Sequence, residues 1–117
     1  MQLQLFGHKI WLFHKPIDFR ASIDGLSGLI VGDLKQNPQK GIYVFYNRGR
    51  DKVKLLSWHK TGFVLVYKRL EQGRFSVELN KETGAREMNT DELGWLLAGL
   101  EWNKMRDWRE LSYDKFN

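Results

Sequence analysis

Between Arg48 and Arg74 the chain carries eight basic residues (Arg48, Arg50, Lys52, Lys54, Lys60, Lys68, Arg69 and Arg74) against two acids, Asp51 and Glu71. That is a net +6 in 27 residues, while the other 90 of the 117 sum to −1. Tyr46, Trp58 and Tyr67 interleave with these cations. Lys and Arg set among rings are what a nucleic-acid surface needs, because the cations neutralise phosphates and release counterions while the rings stack on exposed bases. The alternative is a solvated face that keeps a domain soluble, but concentrated basicity is what a polyanion senses.

Catalytic chemistry has less to stand on. A metal-dependent nuclease needs two or more carboxylates converging on one divalent ion. Asp18 and Asp24 are six positions apart, which on a helix places them about 240° apart around the axis. They read instead as a helix N-cap (Asp18) and a solvent-facing or Arg20-paired residue (Asp24). His8, His14 and His59 lack ligand spacing, Ser22 and Ser57 have no evident base partner, and Gly25-x-x-Gly28 without a following Lys is no phosphate loop. The absence of cysteine excludes a disulfide framework, a thiol nucleophile and a cysteine zinc site. The expectation is a protein that is not an enzyme, with no cofactor, metal or small-molecule substrate.

Those residues must be positioned by one compact unit. The chain is of single-domain length, expected to bury roughly two-thirds of its unfolded surface, and its 42% hydrophobic content fills one core. The domain spans 1–117, with the tail after about 101 peripheral. Residues 2–14 read as one or two short strands, broken at Lys15-Pro16. Phe19, Ile23, Leu26, Leu29, Ile30 and Leu34 recur at spacings of three and four, predicting a helix over 18–34 capped by Asp18. Gly25 and Gly28 inside it call for the close approach of another backbone. After Asn37-Pro38 the period changes to two. Strands are expected at Ile42–Tyr46, Lys52–Trp58 and Phe63–Leu70, and a short fourth at Phe75–Leu79, with a loop over Lys81–Asn89. The inferred pairing sets Tyr46 opposite Lys52, Val44 opposite Lys54, Lys54 opposite Tyr67 and Trp58 opposite Phe63. Asn89 or Thr90 caps a second helix through Leu93, Leu96, Leu97 and Leu100, continuing past a kink at Gly99 through Trp102, Met105, Trp108 and Leu111. The fold class is α+β: an antiparallel meander of three to four strands against a helix in the N-terminal half, with one or two C-terminal helices. The N-terminus carries no basic leader and no long apolar run, so a cytoplasmic protein without membrane contact is expected.

Three segments carry a resemblance. Asp18-Phe19-Arg20-Ala21-Ser22-Ile23-Asp24-Gly25-Leu26, Phe45 to Trp58 with its Asn47-Arg48-Gly49-Arg50-Asp51-Lys52 core, and Gly62-Phe63 through Tyr67-Lys68-Arg69-Leu70-Glu71-Gln72-Gly73-Arg74-Phe75 resemble the signature helix, basic hairpin and Lys-Arg-Leu-Glu block of the TnpB-type accessory proteins of the insertion sequence 66 group. The likeness spans about residues 9–100. It departs at Gly49, where a third basic residue is expected, and at His59-Lys60, which replaces a commonly acidic turn. The resemblance implies a role in transposition beside a separate transposase and other proteins of the same element.

Joined to the charge pattern, it yields the expectation that Arg48, Arg50, Lys52, Lys54, Lys68 and Arg69 form one contiguous positive surface for DNA. Tyr46 and Tyr67 lie between the cations, and Arg74 extends the patch. The competing expectation is an adaptor docking on the transposase without touching DNA, since aromatic and Arg-rich surfaces serve protein interfaces equally well.

Overall fold

In the computed structural model, which describes residues 8–77, 85–100 and Met105, the element order is β1 (Lys9–Phe13), α1 (Ile23–Gly32), β2 (Gly41–Tyr46), β3 (Lys52–His59), β4 (Gly62–Arg69), β5 (Ala85–Met88) and α2 (Thr90–Leu97). The strands form one sheet in the order β4-β3-β2-β1-β5. The expected meander is there as β2, β3 and β4. What the sequence reading did not anticipate is that β1 runs parallel to β2 in the sheet interior, with α1 as the crossover that parallel neighbours require. Ala85–Met88, expected as loop, is instead the edge strand β5, pairing antiparallel with β1 from Ile10↔Met88 to Phe13↔Ala85. Residues 75–77, expected to begin a strand, are not in one; 78 and 79 lie outside the described residues.

Over β2 both sheet faces are covered, so this strand is buried along its whole length and reads as an unbroken apolar run without alternation. On one face α1 sets Leu26 and Ile30 against Phe13, Tyr43, Phe45 and Leu56. On the other, Leu93 and Leu96 of α2, with Phe75, cover Ile10, Leu12, Val44, Val53 and Leu55. At Gly41 the Tyr43 ring occupies the space where a Cβ would sit, 2.8–3.0 Å away. The same Tyr43 hydroxyl donates to Gln36 Oε1 (2.9 Å) or the Asn37 carbonyl (3.1 Å), which ties down the α1–β2 connection.

The β3–β4 register is the expected one, with Lys54↔Tyr67 and Trp58↔Phe63. The β2–β3 register is shifted by one, to Phe45↔Lys54 and Tyr46↔Val53. Asn47 is the cause. Its N–H donates to the Lys52 carbonyl (3.2 Å), its carbonyl accepts from Arg50 N–H (3.0 Å), and its side-chain oxygen accepts from the N–H groups of Asp51 (3.1 Å) and Lys52 (3.0 Å). Asn47 therefore closes the hairpin opposite Lys52, and a slip of one turns every β2 side chain to the other face. Tyr46 consequently lies on the α2 face, away from Lys52 and Lys54.

Helix α1 begins at Ile23, not at Asp18, with Ser22 at the N-cap and no side-chain cap bond. The carboxylate of Asp18 is engaged by Arg20 instead, which corrects the capping role assigned to it. Among the described residues no backbone of another segment comes close to Gly25 or Gly28: a Cβ on Gly28 would meet nothing within 4 Å, and one on Gly25 only the Ala21 Cβ.

Helix α2 starts as expected at Asn89. The Asn89 side chain accepts from Glu92 N–H (2.8 Å) and Glu92 Oε1 accepts from Asn89 N–H (3.1 Å), a reciprocal capping box. Glu92 also accepts from Arg86 of β5 at 2.8 Å, so one cap joins strand to helix. We expect Asn89→Ala to cost about 0.5–2 kcal/mol, read as a lowered midpoint in urea denaturation. At the other end Gly99, with φ +75°, and Leu100 donate to the carbonyls of Leu96 (3.0 Å) and Trp95 (2.9 Å). This paired C-terminal closure ends a helix where a left-handed residue permits it, so α2 ends at Leu97 with Ala98 as its C-cap, and Gly99 and Leu100 lie past it. Met105 apart, the expected continuation through Trp102, Trp108 and Leu111 lies outside the described residues, as does the tail.

Candidate nucleic-acid interface

The turn after β2 puts Arg48 and Arg50 in solvent. Arg50 adopts φ +58°, a left-handed conformation uncommon for a residue with a side chain. After β4 the chain folds back over this turn: Leu70 N–H donates to the Asp51 carbonyl (2.7 Å) and Phe75 N–H to the Arg50 carbonyl (2.6 Å). Phe75 is buried in the core beneath, so its exposed neighbour Arg74 is held beside the turn. Lys52, at the start of β3, pairs across the ladder with Arg69 at the end of β4.

Arg48, Arg50, Lys52, Arg69 and Arg74 are thus gathered at one end of the sheet. Arg69 is ion-paired with Glu71 (3.1 Å), both side chains being largely exposed. The other four have no ion pair among the described residues. Asp51 is occupied with the turn itself: the Asn47 side-chain amide donates to its carboxylate at 2.6 Å, and that bond chiefly holds its pKa below the ordinary value, with Lys52 and Arg69 nearby assisting.

Three residues of the sequence reading stand elsewhere, so the expected single surface is smaller and differently composed. Lys54 is only 7% exposed. Its ammonium donates to the carbonyls of Phe19 (2.8 Å) and Ala21 (2.6 Å) and lies 4.9 Å from the centre of the Phe19 ring. It staples the segment before α1 to the sheet, with two of its three N–H groups engaged and little exposed surface to offer a ligand. Lys68 is exposed but points to the opposite face from Arg69, where its ammonium donates to the Leu97 carbonyl at the end of α2, a favourable place for a cation. Tyr46 is 2% exposed; burial pushes its hydroxyl up to about 12, with Arg50 pulling weakly the other way. Tyr67 does reach the surface, half exposed, with its ring centre 6.1 Å from that of Phe19. From the sequence Phe19 reads as core, because its spacing matches the helical stripe. Its real position, ahead of the helix, follows from α1 starting at Ile23.

Asp18 and Arg20 form a forked ion pair (2.6–3.1 Å) on the surface near this corner. The side-chain hydrogen bonds from Arg20 are the main reason that the Asp18 carboxyl sits at about 2 against an ordinary 3.8. A depressed carboxyl contributes stability above its unfolded value and loses it as pH falls through the folded one, here between about pH 4 and pH 2. The pair is exposed, so the contribution is small. A carbon-13 titration of the Asp18 carboxyl should show a midpoint near 2, and Arg20→Gln should return it towards the ordinary range. Among the described residues no group of three or more His, Asp or Glu is placed to hold a metal ion, and no helix is long and apolar enough to cross a membrane.

Residues 8–107 match the IS66 Orf2-like proteins, and the chain belongs to that family. It is 34% identical over 101 residues to the uncharacterized protein y4jC of Sinorhizobium fredii, covering 86% of each chain. It is 31% identical over 103 residues to the uncharacterized protein y4hO of the same species, covering 86% of this chain and 89% of that one. No solved structure matches it. Membership associates the chain with transposition of an insertion sequence, in an accessory role.

Proposed function

We propose that this chain is a non-catalytic accessory protein of transposition that holds DNA on the corner formed by Arg48, Arg50, Lys52, Arg69 and Arg74, beside the transposase of the same element. One observation carries the reading. Four of these cations lack any ion pair among the described residues, yet the two backbone bonds from Leu70 and Phe75 bring them together. Like charges placed close together are unfavourable to the isolated fold, and phosphates relieve that repulsion while releasing counterions.

The test is fluorescence anisotropy of a labelled duplex from the element's end, titrated at rising salt. With four to five phosphates neutralised, log affinity should fall against log salt with a slope of about −4. A flat response, or no binding at low salt, would hand the role to the adaptor reading. That reading predicts retention of purified transposase in a pull-down without DNA.

A further inference from the structure

Helix α1 leaves part of its own sheet face uncovered. Its apolar side packs over β1, β2 and the middle of β3 through Phe13, Tyr43, Phe45 and Leu56. The outer strand β4 alternates, and on this face it presents Phe63, Leu65, Tyr67 and Arg69, opposite Trp58, Leu56, Lys54 and Lys52. Exposure rises along that row: Phe63 and Leu65 are half-buried, whereas Tyr67 is 50% exposed. The ring is not loose. Phe19 lies against it, and the buried ammonium of Lys54, fixed by two carbonyls, sits 5.9 Å from its centre. Two residues further along β4, on the same face, stands Arg69, with Lys52 directly across the ladder.

A half-exposed ring of fixed orientation next to two cations is more than phosphate binding requires. A duplex keeps its bases stacked on one another and offers the protein a backbone and groove edges, so a tyrosine face beside the cations would go unused. A strand with free bases uses both parts, the cations taking the backbone and the ring taking a base. Resting on the reading that this corner binds DNA, we propose that its preferred form is single-stranded, with one base stacked on Tyr67 and the flanking phosphates on Lys52 and Arg69.

The experiment compares a labelled single-stranded oligonucleotide with the duplex of the same sequence by anisotropy, at one low salt concentration, for the natural chain, Tyr67→Phe and Tyr67→Ala. The single strand should bind the natural chain at least about tenfold more tightly than the duplex, the size of one stacked base. Tyr67→Ala should erase most of that advantage and leave duplex binding within about twofold, while Tyr67→Phe, which keeps the ring, should preserve it. Equal binding of the two forms, or a Tyr67→Ala effect of the same size on both, overturns the single-strand preference and leaves DNA binding standing. No binding of either form overturns both. Tyr67→Phe keeps the test decisive should the alanine variant unfold.

Discussion

Replacing Arg48, Arg50 and Arg74 together with alanine should lower affinity for DNA on the order of a hundredfold or more at about 0.1 M salt, and flatten the salt slope by about three. All three are exposed and without ion pairs among the described residues, so fold stability should change little, by about 0.5 kcal/mol or less at each site. Arg50 offers a sharper version. With φ at +58° it holds a conformation that costs a residue with a side chain roughly 1–2 kcal/mol and glycine much less. Arg50→Gly should therefore unfold at the same or higher urea concentration while binding DNA more weakly. A residue that strains a turn yet adds charge at its tip is the pattern expected where a position serves binding. If Arg50→Gly gained stability and kept full affinity, Arg50 would have no part in the interface.

Lys54→Met should have the opposite profile. Two charge-assisted hydrogen bonds disappear and the carbonyls of Phe19 and Ala21 lose their donor, a loss of about 2–4 kcal/mol measurable by urea denaturation. The methionine keeps most of the stem's packing, so the effect isolates the ammonium. Because that ammonium faces the segment before α1, the salt slope of DNA binding should be preserved wherever the variant is folded. A variant of full stability and reduced slope would mean that Lys54 reaches the ligand after all. The paired results separate cations that serve the fold from those that serve the surface, a distinction the sequence alone does not draw.

The meander and its outer register were legible because turn residues bound each strand and the two-residue turn Lys60-Thr61 between β3 and β4 leaves one good pairing. The inner register was not, because β2 is buried on both faces. Its run Ile-Tyr-Val-Phe-Tyr offers no alternation to fix which side faces which layer, and the decision falls to the Asn47 side chain. Strand β5 was hidden for a related reason: Ala-Arg-Glu-Met looks polar, and only pairing to β1 makes it a strand. Asn89 was readable as a cap because Asn followed three residues later by Glu is a local signal. Asp18 looked equally good but lies in a turn with Arg20, five residues before the helix. Of the site, the concentration of charge was plain from composition. Which cations point outward depended on strand parity and on the return of residues 70–75 over the hairpin.

The placement of β1 has a consequence for how the chain assembles. The three strands β2 to β4 are neighbours in sequence and can pair early, by local closure. Strand β1 is satisfied on one edge by β2, but its other edge waits for β5, with Ile10 and Met88 meeting across 78 positions. During synthesis the sheet therefore has an unfilled edge on its N-terminal strand until the last quarter of the chain emerges. The capping box that links Arg86, Asn89 and Glu92 then orders β5 and α2 in one step, so the second layer of the core and the final strand should arrive together.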